Sequence, residues 1–190
     1  MRFPSAVRVA LLIGCLWSAA TPSSIAQAPV KDDPWSPVRF LVGEWTGEST
    51  GEPGQGTVKR TYRFVLGDKF LHEQNVSTYP PQPKNPKGEV HEHWAFFSYD
   101  RARKALVLRQ LHQESFVNQY VMLAEAKAGT VVFETEALEN LPRGWKARES
   151  YEVVSPDEFV ETFELAEPGA EFKLYSRSRF KRASLTAAPD

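Results

Sequence analysis

The chain has 190 residues, 42% of them hydrophobic and 25% charged, with a formal net charge of −1. That is the size and balance of one globular domain, and without a basic run or basic face it excludes a nucleic-acid partner. Cys15 is the one cysteine, which excludes a disulfide framework.

Arg2 and Arg8 lead into an apolar run, Ala10 to Ala20, of secretion-signal length and too short to span a bilayer. Ala26-Gln27-Ala28 then supplies the small-x-small pattern of a cleavage site. Residues 1–28 are read as a signal peptide, and the expected location is periplasmic or secreted. Leu12-Ile13-Gly14-Cys15 also fits a lipobox, so a lipoprotein anchored at Cys15 is the alternative, although the apolar run continues through Leu16 and Trp17. Without residues 1–28 the chain keeps 21 basic and 24 acidic residues. No second apolar run fits a transmembrane segment.

Residues 29–34 form a polar lead-in, and Pro34 to Leu41 fits a short helical turn. Short runs of β-branched and aromatic residues follow. They predict strands near 43–50, 56–66, 69–79, 89–99, 104–112, 116–124, 129–137, 145–154, 158–166 and 171–182. The breaks have mechanisms. Leu66-Gly67-Asp68-Lys69 is a tight hairpin, the four prolines of 80–88 bar a central strand, and Ser155-Pro156-Asp157-Glu158 is a turn. Residues 183–190 are expected to be a disordered tail. About ten strands joined by hairpins would expose edges as an open sheet. The prediction is therefore an all-β fold, a ten-stranded antiparallel up-and-down β-barrel over 35–182 with room for a small ligand.

The meander opens on GEWTGESTG, residues 43–51. Its Gly43-x-Trp45 pattern resembles the calycin superfamily of lipocalins and fatty-acid-binding proteins. The fuller spacing of Gly43, Trp45, Gly47 and Gly51, with the later Lys69-Phe70-Leu71-His72, is similar to nitrobindin-like haem-binding barrels. The resemblance implies a barrel plugged at one end by Gly43 and Trp45, and raises haem as a cofactor. Two departures count against haem. Pro53-Gly54-Gln55-Gly56 replaces the family's Tyr-Pro-Thr-Ile segment, and Tyr175 stands where the family places its haem histidine, so Tyr175 would have to be the ligand.

Alternation across paired strands sorts side chains into faces. A turn at 100–103 sets Tyr99 opposite Lys104, and one around 113–116 sets His112 opposite Val117 and Arg109 opposite Tyr120. One face then carries His91, His93, Phe97, Leu106, Leu108, Gln110, His112, Gln119 and Val121. The other carries Trp94, Phe96, Val107, Arg109, Leu111, Phe116, Asn118, Tyr120 and Met122, and these bulky aromatics are read as the interior. On the preceding hairpin Arg60, Tyr62, Phe64, Leu71, Glu73 and Asn75 share a face.

Three site chemistries are open to these residues. In the first, Arg60, Tyr62, Glu73, Asn75, Trp94, Phe96, Arg109, Asn118 and Tyr120 line a cavity for a small hydrophobic or amphipathic ligand. Arg109 would suit an acidic head group, or else pair with Glu73 or Glu149 as plain core. In the second, His91-x-His93 with His112 opposite offers three imidazoles to a metal such as zinc, or these are ordinary polar positions near a barrel mouth. In the third, Glu73, Glu149 or Tyr62 performs acid–base chemistry, but no nucleophile–base spacing is visible and no catalytic residue is assigned. A barrel filled by its own side chains and acting as an interaction protein is the remaining class. Asn75-Val76-Ser77 matches the glycosylation sequon, which is read as chance beside a signal peptide of bacterial type.

Overall fold

The computed structural model describes residues 33–124 and 127–183. The signal segment, with Cys15, lies outside the described residues, as do 29–32 of the lead-in and 184–190 of the tail. A 3-10 turn, Arg39–Leu41, precedes ten strands: β1 (Gly43–Gly51), β2 (Gly56–Val65), β3 (Phe70–Tyr79), β4 (Glu89–Asp100), β5 (Ala105–His112), β6 (Val117–Met122), β7 (Thr130–Glu139), β8 (Lys146–Ser155), β9 (Glu158–Ala166) and β10 (Lys173–Arg182). Each strand pairs antiparallel with its successor, and β10 returns to β1 with Gly47 opposite Phe180, which closes the barrel. Among the described residues no helix is long and apolar enough to cross a membrane.

The glycines of the opening motif serve that closure. At Gly47 a Cβ would lie 2.8 Å from the Arg179 carbonyl oxygen and 2.9 Å from the Phe180 ring. Gly51 has φ +145°, and a Cβ there would collide with the Tyr175 carbonyl oxygen, which accepts from the Glu52 amide at 2.8 Å. So the glycines stand where the first and last strands press together. Trp45 closes the end next to them. Its buried ring meets Phe159 edge-on at 4.7 Å, and its Nε1 donates to the Leu41 carbonyl at 2.6 Å. The Arg182 guanidinium stands 4.2 Å from the ring centre and donates to the carbonyls of Val42 and Pro156. Val38 and Leu41, fully buried, complete the seal.

The first hairpin pairs Arg60 with Asn75 and Tyr62 with Glu73, all facing inward. On β4 and β5 the interior is the opposite face from the one expected. Trp94 is 54% exposed and Leu111 47%. Phe96 stacks on the half-buried His72 at 4.6 Å, and Arg109 is exposed, bonded to Gln119 and Ser98. The inward residues are His93, Ala95, Phe97, Leu106, Leu108 and Gln110.

One loop decides which face of β6 joins them. The His112 amide donates to the Phe116 carbonyl at 3.0 Å, so three residues, 113–115, turn between this bonded pair, with Ser115 at φ 73°. Leu108 therefore faces Tyr120, and Gln110 faces Asn118. A one-residue change of register exchanges the faces of the two strands. The β4–β5 pairing differs from the expected one by two residues, with His93 opposite His112, and that leaves its faces intact. Asn118 and Tyr120 thus share the interior with the histidines.

Substituting Gly51→Ala forces a side chain onto the β10 backbone at a φ that L residues rarely adopt, at a cost of about 1–3 kcal/mol. Urea unfolding measures it. An unchanged midpoint would mean that β1 and β10 tolerate separation at this position.

Candidate functional site

The interior is layered. Beyond the apolar seal sits a cluster of ions around Arg60, which projects inward from β2. Its Nη1 and Nη2 contact Glu161 of β9 at 2.5 and 3.0 Å, as a bidentate pair. Its Nε donates to Asn75 Oδ1 at 2.9 Å and lies 3.1 Å from Glu73 Oε1. The guanidinium also stands 4.6 Å from the Phe180 ring centre. Burial opposes the charge on Arg60, but Glu161, Tyr62 and Glu73 around it hold the group protonated well above its usual range. Burial also pushes the Glu73 carboxyl up, and there the Arg60 charge and the His93 hydrogen bond outweigh it, leaving Glu73 below the usual carboxylate range.

Glu149 of β8 behaves in the opposite way. Burial, then the nearby Glu161 and Glu73 carboxylates, push it up to about 8. The Tyr151 hydroxyl lies 2.5 Å from one oxygen and Gln110 Nε2 lies 2.6 Å from the other. With Glu149 protonated, one interior arginine faces the carboxylates of Glu73 and Glu161, so the layer carries an excess of negative charge.

Three imidazoles form the next layer, at the end opposite Trp45. His91 and His93 are two apart on β4 and so share a face, and His112 is the cross-strand partner of His93. The ring centres are 5.7, 5.3 and 5.1 Å apart. One nitrogen of each ring has an outer partner: His91 Nδ1 meets Glu114 at 3.0 Å, His93 Nε2 meets Glu73 at 2.9 Å, and His112 Nε2 meets Asn118 Nδ2 at 3.1 Å. Burial, followed by the neighbouring His93 and His91, pushes His112 down to about 3 and keeps it neutral. A cavity of about 90 Å³ opens beside this layer, bounded by Arg60, Glu149, Glu161 and the three histidines, with Tyr79, Phe163 and several serines around them.

Of the residues picked from sequence, the structure brings Arg60, Glu73, Asn75, Asn118, His91, His93 and His112 together in these polar layers, while Tyr62 and Tyr120 lie in the apolar core and meet Arg60 and Asn118 through their hydroxyls. It leaves Trp94, Phe96 and Arg109 on the outer surface, so the interior arginine is Arg60 and not Arg109. Gly43 and Trp45 lie at the sealed end. Tyr175 is the extra residue of a β-bulge between Leu174 and Ser176, with its ring edge-on to Phe163 at 5.6 Å. Sequence reasoning missed Glu161, Gln110 and Tyr151. The alternation Phe159, Glu161, Phe163 on β9 carried a signal, an acid between two apolar neighbours on one face.

No family model matches the chain, and neither does any curated protein. A solved structure is similar: the crystal structure of Rv2717c from M. tuberculosis, at 13% identity and a TM-score of 0.59, over 79% of this chain and 97% of that one. The likeness is one of fold. Haem, raised by the resemblance of the opening motif, does not fit the interior. The cavity is well below the roughly 300–1,000 Å³ that encloses a drug-sized molecule, and the Tyr175 ring is already packed on Phe163.

Glu149 makes stability depend on pH. Its ordinary value is 4.5, so between about 4.5 and 8 the unfolded chain releases a proton that the fold retains. Stability therefore falls as pH rises through that window, by up to about 1.4 kcal/mol per pH unit, and levels off above it. Glu149→Gln removes this contribution. Urea titrations of both proteins from pH 4.5 to 9 check it, and parallel profiles would show Glu149 ionised inside the fold.

Proposed function

We propose that the protein is an exported binding barrel of calycin kind, which holds a compact polar molecule in the chamber at its open end. The observation that carries this reading is the chamber itself: about 90 Å³, closed in by Arg60, Glu149, Glu161 and three histidines. The apolar half is filled by Trp45, Phe97, Phe133, Phe159 and Phe180, each at most 2% exposed, so a hydrophobic tail has no vacant place there. This moves the expected ligand from a hydrophobic or amphipathic molecule to one of a few heavy atoms.

The charges around the chamber choose the character of that molecule. With Glu149 protonated, Glu161 of the wall and Glu73 behind it outnumber the one arginine, and net acidic surroundings favour neutral or cationic hydrogen-bond donors over anions. The ionisable groups are engaged with one another, Arg60 with Glu73 and Glu161, and Glu149 with Tyr151 and Gln110. Such an arrangement holds a ligand in a fixed environment, which supports binding without turnover.

Amide NMR spectra recorded during titration with methylammonium, urea and formate test the reading. Saturable shifts at Arg60, Ser77 and Ser178 with methylammonium or urea, and none with formate, are expected. Saturation by formate alone would reverse the charge argument. Export is checked by N-terminal sequencing of the protein recovered from the cell envelope or medium, where residues 1–28 are expected to be missing.

A further inference from the structure

We infer that His91, His93 and His112 form a binding site for one divalent transition-metal ion of the zinc class, at the open end of the barrel. The three rings present one ligand nitrogen each, all within 4.8 Å of one another. The outer partners leave His91 Nε2, His93 Nδ1 and His112 Nδ1 as the nitrogens with no partner beyond the three rings. His91 Nε2 and His112 Nδ1 are 3.3 Å apart. Two nitrogens bound at about 2.05 Å to a tetrahedral ion are separated by about 3.3 Å, so this pair already has the spacing of two ligands. His93 Nδ1 is buried without any hydrogen-bond partner, on a side chain 8% exposed. A buried nitrogen in that state is costly, and a cation at the centre would satisfy it.

The outer partners have the form that metal sites use. Histidine ligands donate their second N–H to a carboxylate or carbonyl, which fixes the tautomer and makes the ligand nitrogen more basic. Glu114 and Glu73 accept from His91 and His93 in this way. At His112 the Asn118 amide faces the ring with Nδ2, while its Oδ1 is buried without a partner. Turning that amide end for end only exchanges Oδ1 with Nδ2; it gives His112 Nε2–H an acceptor, lets the Tyr120 hydroxyl donate to the same oxygen, and frees Nδ1 for an ion. The negative charge left by Glu73 and Glu161 against Arg60 also favours a cation nearby. Three imidazoles without thiolates suit zinc, cobalt, nickel or copper, and leave a fourth position for water or a small ligand. The proposal does not rest on the chamber holding an organic molecule. Without an ion the same rings would share a proton between His91 and His112.

The test uses the tag-free chain, stripped by dialysis against a chelator and titrated with Co²⁺ and Zn²⁺. One ion per chain, with the intense visible bands of four-coordinate Co²⁺ and their displacement by Zn²⁺, is expected. His91→Ala and His112→Ala, both near the mouth, should lose these bands while keeping the barrel's circular dichroism. Glu114→Gln should keep the bands and weaken affinity by about 10–100-fold. The weak bands of six-coordinate Co²⁺, retained in His112→Ala, would place the ion on Glu89, His91 and Glu114 and overturn the proposal. Absence of saturable binding to the wild type would overturn it as well, whatever the NMR titration of the chamber shows.

Discussion

The pairing of Arg60 with Glu161 and Glu73 is the contact on which the interior depends. It joins β2, β9 and β3 through the middle of the barrel and rests on Phe180 of β10, so four strands meet in one set of charges. Breaking a buried pair by removing one partner costs about 3–5 kcal/mol, because the other charge is left without compensation. The cluster also marks a boundary. On one side the barrel is packed solid with aromatic rings; on the other it is polar and partly open. Each side needs a different kind of residue, and the ions are where the two kinds change over.

Glu73 belongs to both halves. One of its oxygens is shared between the Arg60 guanidinium and the His93 ring. The charge that anchors the core therefore also fixes which nitrogen His93 turns inward. The orientation of a residue near the mouth is set by an arginine on a different strand, through a carboxylate with no exposed surface. Rigid support of this kind gives a site its geometry before anything binds.

The sheet was legible in the sequence because its signals are local. Alternation, the Leu66 to Lys69 hairpin and the prolines after Tyr79 placed ten strands to within two residues of where they lie. Membership of a face was legible within β2–β3 and within β4–β5, since an even error in register leaves faces unchanged. It failed across β5–β6, where a single residue of loop length decides the matter and Ser115 takes a left-handed conformation. The choice of interior failed for another reason. Trp94 and Phe96 look like core and His91, His93 and Gln110 look like surface. Burial of such polar groups is affordable only through partners, Glu73 for His93 and Glu149 for Gln110, that lie 20 and 39 residues away in the chain. Composition cannot show those pairings. The three histidines were legible as a group, because the even error in the β4–β5 register kept all three on one face.

Closure by β1 against β10 has a temporal consequence. Trp45 lies opposite Arg182, so the seam joins the beginning of the domain to its end. A chain emerging from the ribosome cannot complete this structure piece by piece. Until the last strand is free, β1 and the newest strand both present unsatisfied backbone groups that another chain can pair with. The barrel therefore closes only after synthesis of the whole domain.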